Sequence, residues 1–195
     1  MKKQLILFLL SLLFLVSCGQ TNKLSEEDYS WMPYKGDETL VFKSNLEETD
    51  TLFILKKDTL LAYPEAQALN GIKYEEVSVF CNHFGRNNRN TGRSYYFFKV
   101  QRAKDNRTEL AFDLSAEGAG FYRISSVKID SLSNVNLVSV ETSYGKYDDV
   151  YIIYPDDYGK DFYNRSNFVS KLYWSKTRGL VRYDKKGGVY WELMK

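Results

Sequence analysis

Clusters of aromatic and β-branched residues recur along the chain from about residue 31, and apolar and polar positions alternate in several of these clusters. Tyr96, Phe98 and Val100 lie on one side of such an alternation, and the same period recurs in residues 110–114. A period of two places successive side chains on opposite faces of a β-strand. The pattern predicts eleven strands, at residues 39–43, 51–56, 74–83, 93–102, 109–113, 121–129, 135–142, 149–154, 168–174, 180–183 and 189–193.

Turn-forming segments separate these strands. Residues 90–92, 104–106 and 185–188 are rich in Asn, Asp, Gly and Lys and suit hairpin turns. Helix signals are few. Pro64 in a first turn and the Asn-Gly pair after Leu69 predict a helix over residues 64–69, and residues 161–170 are a second, weaker candidate.

The number of strands shapes the expected fold. Eleven strands exceed what a single open twisted sheet commonly holds, so such a sheet curls or splits. We therefore predict a mainly β fold, an antiparallel sheet curled into a barrel or half-barrel with one or two short helices. A two-sheet β-sandwich is the alternative. The 16 Tyr, 12 Phe and 3 Trp residues are assigned mostly to the core, with Trp31, Trp174 and Trp191 as anchors.

The first twenty residues differ from everything that follows. Lys2 and Lys3 precede an apolar run over residues 5–16, and the small residue Ser17 then precedes Cys18. A membrane-spanning helix needs about 20 apolar residues, so this run is too short for one. A basic start, a short apolar run and a small residue are typical of a secretory signal peptide.

The segment Leu15-Val16-Ser17-Cys18 resembles the lipobox of bacterial lipoproteins. The resemblance implies that residues 1–17 are removed and that the Cys18 thiolate accepts a diacylglyceryl group. It also implies further acylation, of the palmitate kind, at the new N-terminus. Several acyl chains anchor a protein stably where one does not. The expected location is the cell envelope, at the outer membrane, with the periplasmic or surface face left open. A plain signal peptide or a membrane helix is the alternative.

Removal of residues 1–17 takes away two lysines, so the formal net charge falls from +2 to zero. A nucleic-acid-binding domain is normally strongly basic, which argues against that class of partner. Residues 18–30 are polar and carry an acidic run, and we interpret them as a lipidated start and a flexible tether. Residues 31–195 are long enough for a single β-rich domain.

Residues with catalytic or metal-binding chemistry are sparse. Cys81 and His83 lie two apart on a predicted strand and share a face, but a structural role for both is the favoured interpretation. The acids within residues 148–161 do not match a calcium loop and are interpreted as solvated. The sequence thus predicts no catalytic residue, no cofactor and no metal site.

One basic cluster stands out on an otherwise neutral chain. Residues 86–107 contain a single acid, Asp105, together with Arg86, Arg89, Arg93, Arg102 and Arg107. These five arginines are a predicted anion-binding patch for lipid headgroups, lipopolysaccharide phosphates or acidic glycans. A solvated hairpin face is the alternative.

Residues 31–44 and 172–193, rich in Tyr and Trp, resemble segments of small uncharacterised bacterial lipoproteins. The resemblance carries no assigned activity, and the second segment is interpreted as a packing motif. We therefore expect a membrane-anchored, non-catalytic module that binds an envelope protein, a glycan or a lipid. The alternatives are a half-barrel carrier of lipids or lipoproteins, and an envelope-tethered hydrolase acting on glycan or cell wall.

Overall fold

The structure is a computed structural model that describes residues 20–63, 71–84, 95–116, 119–121, 126–156 and 164–194. Two short helices are present in these ranges, α1 (Glu26–Tyr29) and α2 (Ile129–Ser133). The strands are β1 (Thr21–Asn22), β2 (Thr39–Ser44), β3 (Thr49–Ala62), β4 (Lys73–Phe84), β5 (Tyr95–Arg102), β6 (Thr108–Phe112), β7 (Leu114–Ala116), β8 (Ala119–Phe121), β9 (Val127–Lys128), β10 (Val138–Thr142), β11 (Gly145–Ile153), β12 (Val169–Ser175), β13 (Gly179–Lys185) and β14 (Tyr190–Leu193).

Most strands belong to one 12-stranded sheet, ordered β10-β11-β12-β13-β14-β2-β3-β4-β5-β6-β9, with β1 added beside β4. All its pairings are antiparallel except β1–β4, and β7 with β8 forms a separate two-stranded sheet. The sheet curls into a half-barrel, so the predicted fold class is confirmed. Pairing of β14 with β2, for example Trp191 opposite Ser44, joins the two ends of the domain.

The strand predicted over residues 121–129 is wrong in part. β8 ends at Phe121, β9 covers only two residues, and α2 begins at Ile129. Ile129 and Leu132 are three residues apart, which places both on one side of a helix, and Leu132 is buried there. Residues 168–170 of the second helix candidate instead lead into β12, because they pair with the end of β13. The helix predicted over 64–69 lies outside the described residues.

β3 is much longer than predicted. It was expected to end at residue 56, but it continues to Ala62 because residues 56–62 pair with residues 74–80 of β4. β2 accompanies only the first part of β3, so the final residues extend past it. The adjacent pair Leu60 and Leu61 breaks the alternation that sequence reasoning relies on.

Side chains fill the interior of the half-barrel. Trp174 on β12 lies 4.1 Å from Phe98 and 5.0 Å from Phe112, measured between ring centroids. β12 and β5 are distant in the strand order, so these contacts cross the interior. The three predicted tryptophan anchors are buried, with 4%, 0% and 1% exposure at Trp31, Trp174 and Trp191.

Residues 20–36 form an N-terminal strap against the sheet rather than the flexible tether expected for residues 18–30. Leu24 is buried, and its amide donates to Glu75 of β4 at 2.7 Å. Ser25 and Asp28 form a capping box that starts α1. Further along, Tyr34 is buried against Phe97 and Trp174. Leu24, Asp28 and Tyr34 therefore fasten the strap to the sheet, while Lys23, Glu26 and Glu27 face solvent.

Asp28 fixes the strap to the sheet. Its carboxylate accepts hydrogen bonds from Arg102 Nη2 at 2.8 Å and from the Ser25 amide at 2.7 Å. Burial by itself raises the pKa of Asp28, but hydrogen bonds from Thr108 and Ser25 and the charge of Arg102 outweigh it, so the pKa is lowered. The charged carboxylate therefore stabilises the fold above the pKa of about 4 of an unfolded aspartate, and this contribution is lost as pH falls through the lower folded pKa.

Asp28→Asn is expected to lower the free energy of unfolding by about 1–3 kcal/mol at pH 7, because a buried charge-assisted network loses its acceptor charge. The difference from the original chain should shrink at pH 2, which urea unfolding at both pH values measures. Glu27→Gln, on the exposed side of α1, is the matched control and should change little. An Asp28→Asn loss that is the same at both pH values would contradict the electrostatic explanation.

Candidate functional site

The predicted anion-binding patch is only partly described. Cys18, Arg86, Arg89 and Arg93 lie outside the described residues, and the patch as a whole stays a prediction. Its two described members both hold carboxylates. Arg102 binds Asp28 and donates to the backbone oxygen of Lys23 at 3.1 Å, so it fastens the strap. Arg107 pairs with Asp105 in the β5–β6 turn.

The other residues that the sequence analysis considered are Cys81, His83 and the acids within residues 148–161. Cys81 is fully buried in the core, in register with Ile54 of β3. The backbone of His83 lies opposite Leu52 in the same pair of strands. Asp149 accepts from Ser175 Oγ at 2.8 Å and from the amide of the β12–β13 turn residue Thr177 at 3.0 Å. In the described ranges, no three His, Cys, Asp or Glu side chains converge as metal ligands.

A different group of side chains lies on the outward face of β12, β13 and β14. We name it the Arg182 cluster and define it as Tyr173, Arg182, Asp184, Tyr190 and Glu192. Register brings its members together across the strands, because Arg182 lies opposite both Tyr173 and Glu192. Asp184 lies opposite Tyr190 in the adjacent row. The residues next to them along β12 and β13, such as Trp174 and Tyr183, face inward and are buried. The alternation along each strand therefore places the core on one face of the sheet and the Arg182 cluster on the other.

Arg182 occupies the centre of this cluster. Its Nε donates to Asp184 Oδ1 at 2.7 Å, and its Nη1 lies 3.3 Å from Glu192 Oε1. The guanidinium carbon lies 4.1 Å from the ring centroid of Tyr190 and 5.2 Å from that of Tyr173. Two carboxylates and two aromatic rings thus hold the Arg182 guanidinium in place. A guanidinium is planar, so it suits contact with the face of an aromatic ring.

Burial and hydrogen bonding shift the pKa values of Tyr173 and Arg182. Burial raises the pKa of Tyr173 to about 12, and its hydroxyl donates to Asp184 Oδ2 at 2.9 Å. Burial disfavours the charged form of Arg182, but the hydrogen bond and charge of Asp184 outweigh it and raise the pKa of Arg182. Tyr173 therefore stays neutral and Arg182 stays cationic at pH 7. Neither group is poised to exchange a proton with a substrate at that pH.

A groove of about 290 Å³ adjoins the cluster. It is lined by Ser170, Lys171, Arg182, Asp184, Lys185, Lys186, Gly188, Val189 and Tyr190. Four of these side chains are cationic and one is a carboxylate, so the groove is locally positive on a neutral protein. The β13–β14 turn forms one wall, closed by a 2.8 Å hydrogen bond from the Lys185 amide to the Val189 oxygen.

Tyr190 also lines a second depression. This depression has a volume of about 180 Å³ and is lined by Lys43, Ser44, Asn45, Glu47, Ser143, Tyr144, Tyr190 and Glu192. The Glu192 side chain here accepts from the Ser143 amide at 3.1 Å, which ties the β10–β11 turn to β14. The two depressions share Tyr190 as a lining residue.

Sequence reasoning did not single out the Arg182 cluster, because it interpreted the closing segment as packing. That interpretation holds for the inward residues Trp174, Tyr183 and Trp191, which are buried. A signal for the outward residues was nevertheless present, since Arg and Asp at 182 and 184 alternate with core residues as polar side chains do on a half-buried strand. Their meeting with Tyr173 and Tyr190 depends on strand register, which the sequence does not state.

Comparison of the chain with protein-family models, with curated proteins and with solved structures finds no match. Among the described residues, neither helix has the length and apolar character needed to cross a bilayer. The function must therefore be argued from the chemistry of the site.

Proposed function

We propose that this chain is a lipid-anchored lipoprotein of the cell envelope that acts as a non-catalytic binding module. Its membrane anchor is the lipid on Cys18. Its ligand is an acidic glycan, which binds in the groove beside the Arg182 cluster. The module binds no nucleic acid and uses no cofactor.

The observation that carries this proposal is the contrast between the two faces of the sheet. The inward face is filled by rings such as Trp174 and Phe98, whose centroids are 4.1 Å apart. The outward face combines a groove, several cations and the ring of Tyr190. A tyrosine ring offers an apolar surface to a sugar, and Lys and Arg form charge-assisted hydrogen bonds with carboxylates. Acidic sugars present both features.

The same observations weigh against the alternatives. A half-barrel carrier needs interior space for an acyl chain, whereas Tyr34, Phe98 and Trp174 meet in the interior described above. A hydrolase needs an acid or base poised near neutral pH. In the Arg182 cluster, both carboxylates are instead paired with the same guanidinium.

Binding of a galacturonic acid hexamer tests the proposal. Tyr190→Ala and Lys171→Gln should each weaken binding by about tenfold, or 1.4 kcal/mol, because one removes the ring and the other a cation. The matched control Lys35→Gln changes an exposed lysine outside the groove and should bind normally. Titration calorimetry at low and high salt measures these affinities.

The methyl-esterified hexamer, which lacks the negative charges, is the control ligand. It should bind more weakly, and salt should weaken binding of the acidic hexamer much more than binding of the ester. Equal affinity for the two hexamers, or unchanged affinity in both groove variants, would refute the assignment of an acidic glycan to this groove.

A further inference from the structure

The far end of the β3–β4 pair carries exposed apolar side chains. Leu60, Leu61 and Ile72 are 47%, 49% and 36% exposed, and we name these three residues the apolar tip. Leu60 and Leu61 are consecutive on β3, so they point to opposite faces of the strand. Large apolar side chains exposed on both faces of one ribbon suit a surrounding apolar medium better than a flat partner on one side.

The apolar tip lies close to the start of the mature chain. In strand β1, Thr21 lies opposite Lys73 of β4, and the next residue of β4, Tyr74, lies opposite Ala62 of β3. Two strand spacings therefore separate Thr21 from the end of β3, which is about 10 Å. Cys18 precedes Thr21 by three residues, a reach of about 10 Å at most. A lipid on Cys18 is thus held within about 20 Å of the tip.

We propose that the apolar tip is a membrane-docking surface that enters the bilayer interface beside the acyl chains on Cys18. This inference rests on the proposed lipidation. The strap excludes a long free linker, because its residues from Thr21 onward are paired with the sheet or packed against it. The domain is therefore seated on the membrane by this end.

Charged and amphipathic residues surround the tip. Leu60 and Leu61 lie opposite Glu76 and Glu75, which are held by Lys99 and by the Leu24 amide. Lys73 Nζ lies 5.3 Å from the ring centroid of Tyr63, and such Lys–Tyr pairs suit the headgroup level. Lys23 is exposed directly after β1. The exposed acids Glu26 and Glu27 on α1 offset these two lysines, so apolar contact rather than net charge must hold the tip in the interface.

Docking by the tip leaves the groove accessible. Arg182 lies opposite Glu192, Glu192 lies opposite Lys43, and Lys43 lies opposite Thr49, the first residue of β3. The tip is at the last residues of the same strand. Between Thr49 and the apolar tip, β3 is about 40 Å long at the usual rise per residue. The glycan groove is thereby carried at the end of the domain that points away from the lipid.

Amide hydrogen exchange on the mature chain from Cys18 tests the docking. One sample is coupled through Cys18 to a maleimide lipid in vesicles of phosphatidylethanolamine and phosphatidylglycerol, and the other is capped with N-ethylmaleimide in buffer. Residues 58–62 and 72–75 should exchange about fivefold more slowly on the vesicles. Residues 43–48 at the opposite end, which include Leu46 at 60% exposure, should be unchanged.

The variant Leu60→Ser, Leu61→Ser, Ile72→Ser should lose this protection, while Leu46→Ser should keep it. Equal exchange at the tip in both samples, or protection of residues 43–48 instead, would overturn the docking. Lipidation is tested separately by the mass of the N-terminal peptide from the full chain expressed in a bacterial envelope. Because the vesicle sample is coupled chemically, an unmodified Cys18 in cells would refute the lipidation without altering the docking result.

Discussion

Gly179→Ala is expected to lower the free energy of unfolding by about 2–5 kcal/mol, which combines backbone strain and a steric clash. Gly179 has a φ of +81°, where a side chain strains the backbone. A Cβ placed there lies only 2.2 Å from Tyr34 Oη and 2.4 Å from Tyr34 Cζ. Tyr34 has no room to retreat, because its ring is buried and its hydroxyl accepts from the Leu180 amide at 2.9 Å.

Gly188→Ala provides the matched control. Gly188 has nearly the same φ, +82°, but a Cβ placed at this position has nothing within 4 Å. In this variant the free energy of unfolding should fall by about 1–2 kcal/mol, because only backbone strain is added. Urea unfolding of both variants isolates the clash with the Tyr34 ring. Equal losses in the two variants would show that Tyr34 does not press against the β12–β13 turn.

Trp174→Ala should lower the free energy of unfolding by about 3–5 kcal/mol, as truncation of a large core residue does. Trp174 is fully buried and contacts rings from three other segments, Tyr34, Phe98 and Phe112. Its removal would open a cavity where the strap, β5, β6 and β12 meet. Loss of these contacts should also loosen the strap, which limited proteolysis near residue 20 would report.

Trp174→Phe is the informative partner variant. Among the described residues, Trp174 Nε1 has no hydrogen-bond partner, so replacing the indole forfeits packing but no hydrogen bond. The expected loss is about 1–2 kcal/mol. If Trp174→Phe were as damaging as Trp174→Ala, the ring contacts would not be the source of the stabilisation.

The alternation of residues predicted the strands well because it reports burial directly. β6, for example, buries Thr108, Leu110 and Phe112 and turns the intervening residues outward. The prediction failed where the structure of a segment is fixed by contacts with other segments and not by its own residue pattern. The strap is fixed by a capping box and by Arg102, which is distant in sequence, so its composition resembled that of a tether. The end of β3 is fixed by pairing with β4 and not by its own pattern.

The candidate site depended on information that sequence reasoning lacked. The basic hairpin drew attention through its local charge, whereas the Arg182 cluster combines one cation, two carboxylates and two aromatic rings from three strands. Tyr173, Arg182 and Glu192 become neighbours only once β12, β13 and β14 are in register. Side chains that combine across strands can be recognised from a sequence only when the pairing is known.

The pairing of β14 with β2 also bears on when the domain can fold. Trp191 lies opposite Ser44, and the Met194 amide donates to the Val41 oxygen at 2.8 Å, so contacts at the very end of the chain complete the sheet. Contacts between residues so far apart in sequence form slowly. The sheet therefore cannot close until β14 has been synthesised, and a nascent chain that lacks β14 leaves β2 without this antiparallel partner.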